Sequence, residues 1–130
     1  MPQIISLVLQ LPKKVSTNKI YAGRHWGYRY EIAKLYHESM LPYRFEQVDQ
    51  YPVRISYDFY FRSKALDTLN CAFMAKCVED GMASLGVLQG DGPKFVRACS
   101  ISTQKAARGE NDHVVITIEK FREKKKPVTS

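Results

Sequence analysis

Apolar residues recur at two periods along this chain, and the switch between them predicts its elements. From Gln3 to Leu11, Ile5, Leu7, Leu9 and Leu11 alternate with Ser6 and Gln10, the spacing of a strand with one buried face. The loop after it carries Pro12 and Ser16 to Asn18. Over about 26–40 the period lengthens to that of a helix, with Ile32, Leu35, Tyr36 and Ser39 sharing a face and Pro42 closing it. The clearest strand follows, where Tyr51, Val53, Ile55, Tyr57, Phe59 and Phe61 alternate with Arg54, Ser56 and Asp58. A second helix is predicted from about Leu69 to Ser84, turning Phe73, Met74, Cys77 and Val78 to the core. Strands over about 95–103 and 113–120 complete the set, with Gly109, Asn111 and Asp112 as turn residues between them and Val114, Ile116 and Ile118 facing inward. The order is α+β: about four strands packed with two main helices in one domain over 1–120, followed by a tail over 121–130 expected to be disordered.

Composition narrows this picture. A chain of 130 residues is long enough to bury one real core, and no internal repeat or linker divides it. The apolar start reads as a strand because it lacks a basic leader and a small-residue cleavage site, and no stretch is long enough to span a bilayer. Cys71, Cys77 and Cys99 are odd in number and lack CxxC spacing, so neither zinc nor a disulfide framework is expected and a reducing cytoplasm is the default. The net charge is +7, but the last ten residues, FREKKKPVTS, hold four basic groups and one acid, which leaves +4 on the body. A basic body suits a phosphate-binding surface, since neutralising nucleic-acid charge releases counterions. It equally suits a soluble basic domain, and charge alone does not separate the two.

The candidate chemistry lies between Leu66 and Val96. Asp67 precedes the second predicted helix, Lys76 and Asp80 stand four apart within it, and Asp91 sits in the glycine-rich loop beyond. Carboxylates gathered in a basic protein suit Mg²⁺, a hard cation that takes oxygen ligands, and metal-assisted phosphodiester cleavage needs such an ion beside a polyanion. Lys76 would stabilise charge building on the phosphate. Each residue also has a plain reading: Asp67 as a helix N-cap, Asp91 as a turn residue, Lys76 and Asp80 as a surface pair worth a few tenths of a kcal/mol. A second group, NKIYAGRHWGYR, mixes basic and aromatic residues: Lys19, Arg24, His25 and Arg29 suit phosphate contacts, while Tyr21 and Trp26 suit base stacking or the core. No Ser/His/Asp triad, GxxxxGK[ST] loop or dinucleotide glycine fingerprint is present, so no nucleotide cofactor is expected.

The order of these motifs resembles that of the RusA family of Holliday junction resolvases. Ser16-Thr17-Asn18-Lys19-Ile20-Tyr21 matches the family's early Ser-x-Asn…Tyr loop. Asp67 and Asn70 match the first Asp and the Asn of Asp-x-Asp-Asn, and Lys76, Asp80, Gly86 and Asp91 follow the remaining pattern; the likeness spans roughly 5–118. Leu69 stands at the second Asp of the motif, and Gly90 at the first Asp of the family's Asp-Asp loop. An alternative alignment puts Asp67 at the second Asp and Ala65 at the first.

The resemblance implies a homodimeric, Mg²⁺-dependent crossover junction endodeoxyribonuclease, with Mn²⁺ as a substitute, acting on four-way junctions in a bacterial cytoplasm and often phage-encoded. It implies Asp67, Lys76 and Asp91 as catalytic residues and Asp67, Asp80 and Asp91 as metal ligands, with Glu79 or the Asn70 amide available to complete the set. DNA contacts are expected from Asn18, Lys19, Tyr21, Arg24, His25, Arg29 and Asn70. The alternatives are a non-cleaving protein that binds branched DNA on the same fold, suggested by Leu69 and Gly90, and a phage accessory protein working through protein contacts.

Overall fold

Nine residues of strict alternation build the centre of the sheet. In a computed structural model that describes residues 4–22 and 26–122, Trp26 through its backbone alone, β2 (Val53–Phe61) turns Val53, Ile55, Tyr57, Phe59 and Phe61 inward, each nearly inaccessible. Fully burying side chains of this size stabilises by roughly 1.5–3 kcal/mol each, so this strand is a major contributor to the core. β1 (Ile4–Gln10) and β4 (His113–Lys120) pair antiparallel, β4 pairs antiparallel with β2, and β3 (Val96–Lys105) pairs parallel with β2. The spatial order is β1-β4-β2-β3, a mixed sheet. Because Ile5, Ile55 and Ile118 share one register row, the buried positions of β1, β2 and β4 fall on a single face.

Helices cover that face. α2 (Trp26–Met40) buries Ile32, Tyr36 and Met40, and α3 (Ala72–Ser84) buries Phe73, Met74, Ala75, Cys77, Val78, Gly81 and Met82. The opposite face is polar along β2 and β3, where the Ser102 hydroxyl donates to Asp58 at 2.5 Å and that of Ser100 to Ser56 at 3.2 Å. No described helix is long and apolar enough to cross a membrane.

Three expectations need correction. Leu35 is 41% exposed, because the buried stripe of α2 runs through Ile32, Tyr36 and Met40 at strict i, i+4 spacing and Leu35 falls beside it. The second main helix opens with a 3₁₀ turn (Thr68–Cys71) and becomes α-helical only at Ala72; the Asn70 N–H donates to the Asp67 carbonyl at 2.9 Å, closing the tighter i→i+3 ring. The loop containing Ser16 to Asn18 includes a short helix, α1 (Thr17–Tyr21), whose N-cap Ser16 accepts the Lys19 N–H at 3.1 Å.

The β2–α3–β3 crossover positions the candidate chemistry. A parallel partner strand requires the chain to return to the starting end of β2, and α3 provides that return. Residues 85–95 then lead into β3, and the Phe95 carbonyl accepts the Val53 N–H at 2.7 Å. Asp67 therefore lies at one end of α3, while Asp91 lies on the segment that leaves the other end.

Candidate functional site

Lys76 projects from the outward side of α3 and meets two carboxylates. Its ammonium lies 3.1 Å from Asp80 and 3.9 Å from Asp91, with all three side chains about half exposed. The Asp80 contact follows from helical spacing; the Asp91 contact depends on the 85–95 segment folding back along the helix. Asp80, through its hydrogen bond, and then Asp91 and Glu79 raise the Lys76 pKa, so the ammonium stays charged well into alkaline solution. Glu79, one residue before Asp80, is half-buried and accepts the Tyr57 hydroxyl at 2.7 Å. Burial raises the Glu79 carboxyl above its ordinary value, with the Tyr57 hydrogen bond and the Lys76 charge pulling it back. Burial, and then Glu79, raise Tyr57 in turn, so its phenol remains a proton donor. Two carboxylates thus contact one ammonium while Glu79 acts on it from further off, and the four groups carry a net charge of −2 when all are ionised.

Packing explains how Asp91 is held. A Cβ on Gly90 would sit 2.6 Å from Cδ2 and Cε2 of Phe95, so only glycine lets that ring lie across the turn. The Phe95 ring meets Tyr51 edge-on at 5.4 Å, and the Tyr51 hydroxyl accepts the Gln89 N–H at 2.9 Å while donating to the Val48 carbonyl at 2.8 Å. The turn before Asp91 is therefore pinned from both sides. Gly90, one of the departures from the resolvase pattern, has a packing reason in this chain.

The early loop and the start of α3 are bound together. Thr17 donates its hydroxyl to the Asn70 carbonyl at 3.1 Å and accepts the Phe73 N–H at 2.9 Å; the Asn18 N–H donates to Asn70 Oδ1 at 3.1 Å. Two segments more than fifty residues apart thus form one surface. Asp67 is exposed at its edge, at the N-cap position of the 3₁₀ turn, and makes no side-chain capping bond. Tyr21 is 60% exposed, packs edge-on against Phe73 at 6.2 Å, and carries the Arg29 guanidinium over its ring at 5.1 Å. The stacking and phosphate-binding candidates Tyr21 and Arg29 therefore lie together beside α3. Arg24 and His25 lie outside the described residues, as does the side chain of Trp26.

The structure thus brings together Lys76, Asp80 and Asp91, and separately Asn18 and Asn70. Asp67 touches the second group only through its backbone carbonyl, which accepts the Asn70 N–H; burial pushes the nearby Cys71 thiol up to about 11, and the Asp67 charge adds to the rise. No three His, Cys, Asp or Glu side chains among the described residues converge at metal-binding distance. Around Lys76 the donors are all carboxylate oxygens, which suit Mg²⁺ or Mn²⁺, and Asp80 and Asp91 are exposed enough to turn toward an ion. The Tyr57 contact to Glu79 was not expected from the sequence, where Tyr57 reads only as a core position; a buried phenol needs a partner, and that was the available signal. Compared with known proteins, the chain matches no family model and no curated protein.

Proposed function

We propose that this protein is a metal-dependent endonuclease for branched DNA, of the RusA type, working as a homodimer. The observation that carries the reading is Lys76 held between Asp80 and Asp91 beside half-buried Glu79, on the same helix whose first turns gather Asn18, Asn70, Tyr21 and Arg29. An ammonium among carboxylates on a basic protein pairs a phosphate-binding charge with oxygen donors for a divalent ion. Asp80 and Asp91 would hold the ion, with Glu79 beside them and Asp67 at the margin. Bound there, Mg²⁺ would supply Lewis acidity and an activated water.

The chain's own groups have distinct tasks. Lys76 meets a non-bridging oxygen of the scissile phosphate and stabilises the charge that develops on it. Tyr57 fixes the Glu79 carboxylate through their 2.7 Å hydrogen bond. Arg29 and Lys19 neutralise flanking phosphates, and Tyr21 offers a face for a base at the branch point. A twofold dimer matches the approximate symmetry of a four-way junction, which needs two matched cuts.

The test is cleavage of a labelled synthetic four-way junction and a matched linear duplex, with and without Mg²⁺. Paired nicks confined to the junction and to Mg²⁺ or Mn²⁺ are expected. Lys76→Ala should lower the rate by about 10²–10³-fold, the loss seen when one preorganised charge-stabilising donor is removed. Its effect on stability should stay below about 1 kcal/mol, because the ion pairs are half exposed. The second reading is a protein that binds junctions without cutting; Leu69, 82% exposed where the resolvase pattern has an acid, favours it. Tight junction binding with no nicks in either metal would establish that reading instead.

A further inference from the structure

Beside the joined Asn18–Asn70 surface lies a half-open cavity of about 570 Å³, within the roughly 300–1,000 Å³ typical of small-ligand sites. Lys14, Lys19 and Lys64 line it together with Asn18, Asn70 and Tyr28, and no described Asp or Glu does. The lysines come from two chain segments, 14–19 and the approach to the 3₁₀ turn, so the cavity depends on the same hydrogen bonds that unite Thr17 and Asn18 with Asn70. The Lys14 ammonium donates to the Lys64 carbonyl and rests 5.0 Å from the Phe61 ring centre, which fixes its stem while leaving donors on a group that has three. Val15, Ile20 and Leu66 add apolar wall, and Tyr28 a ring that Lys13 approaches at 5.3 Å.

We infer that this cavity takes one unpaired nucleotide of a DNA strand, its phosphate on Lys14, Lys19 and Lys64 and its base against Tyr28 and the apolar wall. Three cations without a lining acid call for an anion. The aromatic and aliphatic wall calls for a flat, partly apolar body on that anion, and the amides of Asn18 and Asn70 offer donors and acceptors for a base edge. A fully paired duplex must first unstack and unpair a base to fill it; a frayed end or an opened branch point need not. The inference rests on the DNA-binding reading above and adds a site separate from the carboxylate group.

The test uses the full chain in EDTA, so that binding is read without cleavage. Anisotropy of a fluorescein-labelled dT₁₀ is compared with that of an abasic ten-mer of equal charge. The wild type should bind dT₁₀ at least about fivefold more tightly, as base–aromatic stacking predicts. K14A/K64A should weaken dT₁₀ binding about tenfold and flatten the log K against log salt slope by about 0.7, the value for one lost single-strand phosphate contact. Amide shifts of the ¹⁵N-labelled wild type with dTMP should centre on Asn18, Lys19, Lys64 and Asn70, a readout that needs no variant. Equal affinity for dT₁₀ and the abasic strand, or shifts centred elsewhere, would overturn the assignment. If dT₁₀ binds as stated but junctions are never cut, the nuclease reading fails while this site stands.

Discussion

Giving Gly90 a side chain should damage the loop that carries Asp91, and the size of the effect can be worked from the contacts. A Cβ there falls 2.6 Å from two carbons of the Phe95 ring, whereas ordinary carbon contacts lie near 3.5–4.0 Å. The overlap is therefore about 1 Å. The ring cannot yield freely: the Phe95 N–H donates to the Gly92 carbonyl at 2.9 Å, its own carbonyl accepts from Val53 at 2.7 Å, and Tyr51 lies edge-on against it. Overpacking of this kind costs roughly 1–3 kcal/mol. Urea denaturation of wild type, Gly90→Ala, Phe95→Leu and the double variant forms a cycle in which the midpoint reports stability if the slope is unchanged. The expected result is a loss of about 2 kcal/mol in Gly90→Ala that falls to about half or less in the Phe95→Leu background. An equal loss in both backgrounds, or a loss under about 0.5 kcal/mol, would refute the steric account. The same reasoning predicts that Gly90→Asp does not simply add a second acid to the loop, since Phe95 must first be displaced.

Thr17→Val keeps the shape of the side chain and removes one hydroxyl that both donates to the Asn70 carbonyl and accepts the Phe73 N–H. Losing both bonds should cost about 2 kcal/mol, seen as a melting temperature lower by about 8 °C, with weakened binding of single-stranded DNA because Asn18 and Lys19 ride on that joint. Gly81 is buried in α3, and an added Cβ would meet Met40 and His37 at 3.5 Å or more, ordinary contact. Gly81→Ala should therefore raise stability by about 0.5–1 kcal/mol in thermal or urea unfolding; destabilisation would show the α2–α3 contact to be tighter than described. Of the three free thiols only Cys99 is exposed, and burial pushes Cys77 up to about 12 and Cys71 up to about 11. A chromogenic disulfide reagent at pH 8 should titrate one thiol in the native protein and all three in denaturant, because the thiolate is the reacting species.

Most strands and both main helices were legible in the chain, because β1, β2, β4 and the helices are written in a local period. Val53 to Phe61 alternate apolar with mostly polar residues, and Val114, Ile116 and Ile118 recur at every second position, the spacing of a strand with one buried face. The range 26–40 came through intact, while Leu35 did not, since the width of a buried stripe is set by the neighbour it packs against. The ion pair between Lys76 and Asp80 was equally readable, as residues four apart on a helix lie on one face. The contacts that span loops were fixed by how the elements pack. Asp91 reaches Lys76 because residues 85–95 fold back under the hold of Phe95 and Tyr51; Thr17 and Asn18 meet Asn70, and Lys14 meets Lys64, across some fifty residues. No local pattern encodes such meetings, because they depend on which elements the β2–α3–β3 crossover and the sheet order bring side by side.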